Sequence, residues 1–195
     1  EVALQKQLKT TVAAATTTIP DSLLNDSTIS ADSLLMVEKI NRYGAFADDY
    51  DGKETFYTLE NELLKITFTN RGGRVFAAEL KKYKTYDQKP LVLFQSDSTV
   101  FGLNFFAQNR TISTNQLFFE PVVKEKNKIT FRLKTEGEGY IDFDYTLPDE
   151  AYQLEYSIHF SKMSEVVASN THYMERDWRQ NIYRKEKSVN AEATN

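Results

Sequence analysis

Two histidines, one pair of aspartates and one pair of glycines are the residues of this 195-residue chain whose types invite chemistry. His159 falls on the polar side of an alternating stretch, where a solvent-facing imidazole is the ordinary outcome. His172 follows Asn170-Thr171 with no acidic or metal-ligand pattern beside it. Asp142 and Asp144 stand two apart, so on a strand they share a face. Such a pair can divide acid and base work, but the polar side of an amphipathic strand accounts for them fully. Asn70-Arg71-Gly72-Gly73 is too short to cradle a nucleotide, and it lies between two strand patterns rather than between strand and helix, which is not the context of a phosphate loop. Gly72 and Gly73 are therefore assigned to a structural turn, where positive φ is needed. The acidic run Asp48, Asp49, Asp51 lacks the loop spacing and closing glutamate of an EF-hand, and reads as a solvated linker. The absence of cysteine excludes a disulfide scaffold, a thiolate metal site and a thiol nucleophile. No catalytic residue, metal or cofactor is expected.

The elements that would position any site follow from periodicity. Residues 1–34 hold no glycine and no aromatic side chain, and Thr10–Thr18 reads TTVAAATTT. A segment without anchors for a core is a low-complexity tether, with at most a frayed helix over Glu1–Lys9. A short helix is predicted over about Asp32–Tyr43, capped by Ser30 or Asp32 and stopped by Gly44. Residues 35–54 thus comprise this helix and an acidic joint. From Thr55 the period becomes two. Leu64, Ile66 and Phe68 alternate with Lys65, Thr67 and Thr69. Ile129, Phe131 and Leu133 do the same, as do Ile141, Phe143, Tyr145 and Leu147, and then Leu154, Tyr156, Ile158 and Phe160. Short strands joined by polar turns such as Pro148-Asp149-Glu150 predict an all-β, antiparallel sandwich over residues 55–195. The basic stretch around Trp178 is expected as an edge strand with a tail.

Lysine and arginine total 24 against 28 aspartate and glutamate, a net charge of -4, which argues against nucleic-acid binding. The longest apolar runs, such as Leu91–Phe94, are far short of the ~20 residues of a membrane span. The chain lacks an initiator methionine and reads as a piece of something longer. Eleven tyrosines, thirteen phenylalanines and one tryptophan mostly fall at alternating positions, where a core needs them. Phe101, Phe105 and Phe106 lie in a less regular stretch and are candidates for an apolar groove that takes an extended hydrophobic segment or a lipid tail. A carbohydrate-binding module, stacking exposed aromatic rings on sugars, is the alternative.

The stretch from Thr55 to Gln95, TFYTLENELLKITFTNRGGRVFAAELKKYKTYDQKPLVLFQ, resembles the periplasmic domain of YidC-type membrane insertases, especially those of Bacteroidetes. The resembling series is a strand into Leu59-Glu60-Asn61, the alternating strand ending in Asn70-Arg71-Gly72-Gly73, the return through Val75 and Leu80 to Tyr83, and the step Pro90-Leu91-Val92-Leu93-Phe94. Tyr140–Leu147, Tyr152–Phe160, and Trp178 followed by Glu186-Lys187 extend it to about residues 42–195. The resemblance implies a β-supersandwich on the periplasmic side of the bacterial inner membrane, in a parent protein anchored by transmembrane helices. It implies a non-catalytic scaffold that docks Sec translocon components (SecD/SecF, the SecY complex) or nascent membrane proteins. The family's membrane groove and its arginine have no counterpart here. A supersandwich that stops early would expose strand edges, so self-association is a further expectation.

Overall fold

The computed structural model describes residues 31–95, 99–167, 171, 173–182 and 184–185. Most of the expected tether, Glu1–Lys9, Ser30, His172 and the Glu186-Lys187 step lie outside the described residues. Helix α1 spans Ala31–Tyr43, with Asp32 in its first turn and Arg42 in its last, charges that complement the helix dipole. The helix therefore starts inside the range read from composition as tether. Its C-terminal carbonyls accept hydrogen bonds from a distant strand: Arg110 Nη1 donates to the oxygens of Ile40 and Asn41. Gly44, at φ +56°, then turns the chain into a 3-10 helix, Gly44–Tyr50.

In the acidic joint Asp48, Asp51 and Gly52 are exposed, but the turn that leads into it, and Asp49 itself, are docked on the β-domain. Phe46 is 1% exposed and packs edge-on to Phe105. The Ala45 carbonyl accepts from Glu136 N, and the Asp49 carbonyl accepts from Phe118 N at 2.7 Å. The Asp49 carboxylate accepts from Lys134 N at 3.1 Å. The aspartates made the segment look hydrated, while the small and aromatic residues before them dock it onto the β-domain.

Eleven strands follow among the described residues, every pairing antiparallel. They are β1 Phe56–Glu60, β2 Leu64–Thr69, β3 Arg74–Lys84, β4 Pro90–Gln95, β5 Val100–Ala107, β6 Arg110–Ser113, β7 Glu120–Lys124, β8 Lys128–Lys134, β9 Tyr140–Thr146, β10 Glu155–Ser161 and β11 Glu175–Arg179. The first sheet has the order β1-β2-β3-β4, the second β10-β9-β8-β7, and a third, of three strands, β11-β5-β6. The edge strand expected around Trp178 is β11. Strand alternation fills the core between the sheets: Phe68, Phe131, Leu133, Ile141 and Phe143 are fully buried. Phe68 of the first sheet meets Phe131 and Tyr145 of the second at ring-centroid distances of 6.1 and 4.9 Å. Phe101 of the third sheet meets Phe143 and Tyr156. Phe160 departs from the alternation. It sits on a strand at the end of its sheet and is 40% exposed.

The Asn70–Gly73 turn is buried rather than superficial. Gly72 N donates to Leu117 O at 2.8 Å, and Asn70 O accepts from Phe119 N at 2.9 Å. Asn70 also holds Thr55 N through its Oδ1 and Lys53 O through its Nδ2. Tyr145 of the second sheet donates its hydroxyl to Gly73 O at 2.7 Å. Gly72 and Gly73 have φ of +76° and +56°, and a Cβ on Gly73 would lie 3.1 Å from the Phe119 ring.

Two outcomes follow. Gly73→Val adds a branched side chain where both φ and the Phe119 ring oppose it, so it costs about 2–3 kcal/mol and lowers the thermal midpoint by several degrees; an unchanged melting curve would show the turn to be tolerant. Burial raises the Asp49 carboxyl from its ordinary 3.8 to about 6, against the lowering effect of the Lys134 amide. A carboxyl whose pKa is raised by folding adds stability below its unfolded value and loses that contribution as pH climbs through the folded value. Asp49→Asn keeps an acceptor for Lys134 N. It should therefore match the parent near pH 4 and exceed it above pH 7 by about 1 kcal/mol after solvent screening, read by denaturant melts across that range.

Candidate functional site

Asp142, Asp144 and His159 lie on the outer face of the second sheet, and each is held by a neighbour. Arg132 donates to both carboxylate oxygens of Asp142, its cross-strand partner, at 2.8 and 2.7 Å, and its guanidinium lies 3.7 Å from the Tyr140 ring centroid. Asp144 accepts from Thr130 Oγ1 and lies 3.2 Å from His159 Nε2. Ser157 Oγ stands 3.3 Å from the same nitrogen. A serine–histidine–aspartate relay needs the carboxylate and the hydroxyl on opposite ring nitrogens. Here both address Nε2, on an imidazole that is largely exposed. The arrangement is a cross-strand charge ladder.

An apolar cleft of about 300 Å³ lies where the three sheets meet. Its floor is the inner face of β2 and β3: Leu64, Ile66, Val75, Ala78 and Leu80. One wall is β4. A register shift between Ala78 and Glu79 leaves an extra residue on β4, and the consecutive Leu93 and Phe94 both line the cleft. A second wall is Tyr152, Leu154 and Tyr156, and a third is Arg176, Trp178 and Gln180, spaced by two along and just beyond β11. Among the described residues β4, β10 and β11 are each the terminal strand of their sheet. One edge from every sheet thus converges on one apolar hollow.

Polar groups in the cleft are few. Thr99 Oγ1 donates to Gln180 Oε1 at 2.7 Å. The Tyr156 hydroxyl is buried with no hydrogen-bond partner among the described residues. Burial holds the Tyr156 phenol well above its ordinary pKa, opposed by the charge of Arg176, and burial raises Tyr145 likewise. Tyr145 and Tyr156 stack at 4.9 Å. Both phenols are neutral, and the site presents apolar rings with one guanidinium at its rim.

The three phenylalanines expected to share a groove do not. Phe101 lines the cleft, 6.0 Å from Trp178. Phe105 is on the same side of β5 but is 3% exposed and belongs to the core, while Phe106 points the other way and is 49% exposed. Phe105 and Phe106 border a separate shallow depression with Thr111 and Tyr173. Leu93, Tyr156 and Trp178 escaped sequence reasoning because they come from three separate sheets, and Tyr152 because it lies in the connection before β10. The signal within reach was the exposed tryptophan on an otherwise polar edge strand. Tyr145→Phe deletes the bond to Gly73 O and should cost about 1–2 kcal/mol, whereas Tyr156→Phe deletes an unpartnered hydroxyl and should leave stability unchanged or raise it slightly. Equal losses in chemical denaturation would show that the Tyr156 hydroxyl is bonded after all.

Comparison with known proteins places this geometry in a family. The family model described as the YidC periplasmic domain matches residues 57–194. The membrane protein insertase YidC of Bacteroides fragilis is 37% identical over 141 residues, covering 72% of this chain and 23% of that protein. That of Parabacteroides distasonis is 34% identical over 170 residues, covering 85% and 27%. That of Phocaeicola vulgatus is 38% identical over 141 residues, covering 72% and 23%. The chain therefore spans about a quarter of the length of these relatives. Among solved structures, the GalM/aldose epimerase homologue from C. elegans superposes with a TM-score of 0.39 at 14% identity, covering 56% of this chain and 46% of that one, too loosely to bear on function. No helix among the described residues is long and apolar enough to cross a membrane. The sandwich, its buried Asn-Arg-Gly-Gly turn and the family match agree: the chain belongs to the YidC periplasmic domain family, on the periplasmic side of the bacterial inner membrane.

Proposed function

We propose that this domain is a non-catalytic docking module of a membrane protein insertase, and that its cleft receives an extended apolar segment of a Sec translocon component or of a nascent membrane protein. The observation that carries this reading is the convergence of β4, β10 and β11 on one apolar hollow. An edge strand offers a row of backbone donors and acceptors to an incoming chain, and adjacent pockets sort its alternate side chains. The insertase activity printed for the relatives supports a client of that chemistry, since membrane proteins and their partners expose apolar extended segments before they fold. The lining opposes the carbohydrate alternative. Sugars need several free polar side chains in a plane around the stacking ring, and here Thr99 and Gln180 satisfy each other. In the same reading, the segment before α1 is the tether to the membrane.

A photoreactive phenylalanine analogue at position 93 or 178 of the whole insertase, illuminated in its native membranes, tests the reading. Adducts with SecD, SecF, SecY or nascent membrane proteins at these positions, and their absence at exposed Tyr173, are expected. A saturable change in Trp178 fluorescence with oligosaccharides at micromolar levels, and no protein adducts, would favour the sugar reading. Adducts only between two copies of the chain would instead assign the edges to self-association.

A further inference from the structure

β3 is 11 residues long, yet β2 pairs with it only as far as Leu80. Beyond that point β3 and the start of β4 continue as a two-stranded ribbon, Lys82–Lys89, with Lys84 opposite Pro90 and a turn held by Thr85 and Lys89. A ribbon with no sheet beneath it has no core to serve. Its composition is nevertheless not that of a minimal polar turn: it reads Lys-Lys-Tyr-Lys-Thr-Tyr-Asp-Gln-Lys from residue 81. Tyr83 is 52% and Tyr86 61% exposed, and Tyr152, 49% exposed, packs beside Tyr83 at 6.2 Å. From residue 82 to residue 89 three lysines stand against Asp87 alone, +2 in a chain of net charge -4, which leaves -6 on the rest. Asp87 is paired with Lys89, and at the ribbon's base Glu60 is paired with Lys81 and Asp149 with Lys126. Among the described residues Lys82 and Lys84 have no acidic partner.

We infer that this ribbon is a membrane-surface contact: Lys82, Lys84 and Lys89 meet the phosphates of anionic phospholipids while Tyr83 and Tyr86 seat their rings at the headgroup level. Ammonium groups on flexible stems reach headgroup phosphates, and a tyrosine suits a boundary that is apolar on one side and wet on the other. In an acidic domain, positive charge on a projecting ribbon favours approaches to an anionic bilayer in which the ribbon meets the surface first. The inference rests on the family's membrane setting and not on what the cleft binds.

Vesicle co-sedimentation of the full chain tests it, at millimolar lipid, with vesicles of 70% phosphatidylethanolamine and 30% phosphatidylglycerol against vesicles of phosphatidylcholine alone. Binding is expected on the anionic vesicles only, falling as salt rises from 50 to 500 mM, and each Lys→Gln change at 82, 84 or 89 should weaken it about fivefold. Tyr83→Ser with Tyr86→Ser should weaken it further at fixed charge. Lys134→Gln with Lys162→Gln, at the opposite end of the second sheet from the ribbon, should leave it unchanged. No sedimentation with anionic vesicles, equal sedimentation with both lipids, or binding untouched by the triple lysine variant would overturn the inference. Because no protein partner is in the tube and Trp178→Ala should leave binding intact, failure here is separable from failure of the cleft reading.

Discussion

Gly72 and Gly73 occupy a place where the two main sheets and the Leu117–Phe119 crossing all want backbone and none leaves room for a side chain. The turn satisfies five neighbours at once: Thr55 and Lys53 before β1, Leu117 and Phe119 before β7, and Tyr145 on β9. Buried amides and carbonyls must be paired, and here the pairs run between sheets as well as within them. With that turn fixed, Phe68 is held over Phe131 and Tyr145, Phe119 over Phe143, and the aromatic core closes. The left-handed backbone conformation is thus the constraint on which sheet-to-sheet packing depends.

The cleft is a consequence of the same packing. Three sheets of four, four and three strands cannot cover one another completely, and the uncovered part of the β2–β3 face is where their terminal strands meet. Most proteins blunt exposed edges with charge, bulges or proline. This domain does so along β10, where Glu155, Ser157 and His159 face outward, and at β4, which opens with Pro90 and carries a bulge. The inward sides of the same strands remain apolar, so one set of strands is defended against indiscriminate pairing and open to a partner that fills the hollow.

How much was legible in the sequence can be judged element by element. β2, β8 and β9 were readable because one buried apolar face forces alternation of apolar and polar residues, and their inward residues are buried. The turn at residues 70–73 was readable because paired glycines between strands have few other uses. Asp48 and Asp51 are hydrated as their types suggest, whereas the docking of Gly44–Ala47 just before them was not legible, because the burial of Phe46 depends on contacts with Phe105, more than fifty residues away in the chain. Phe101, Phe105 and Phe106 looked like one cluster because they are close in sequence, but alternation along β5 sends Phe106 to the opposite side. Asp142 and Asp144 were legible as one polar face and His159 as the polar side of its own strand, and only the register explains why the three meet in one ladder.

By itself the sequence determined the class of fold, the strands with one buried side, the glycine turn and the family to which the chain is related, because all of these are local patterns repeated along the chain. The tertiary structure decided which terminal strands meet, that Trp178, Tyr156 and Leu93 share a cleft, that the acidic segment docks, and that the β3–β4 ribbon stands beyond its sheet. Those features depend on register and on which sheet covers which. These are set by burial summed over distant residues, and no spacing along a single strand encodes them.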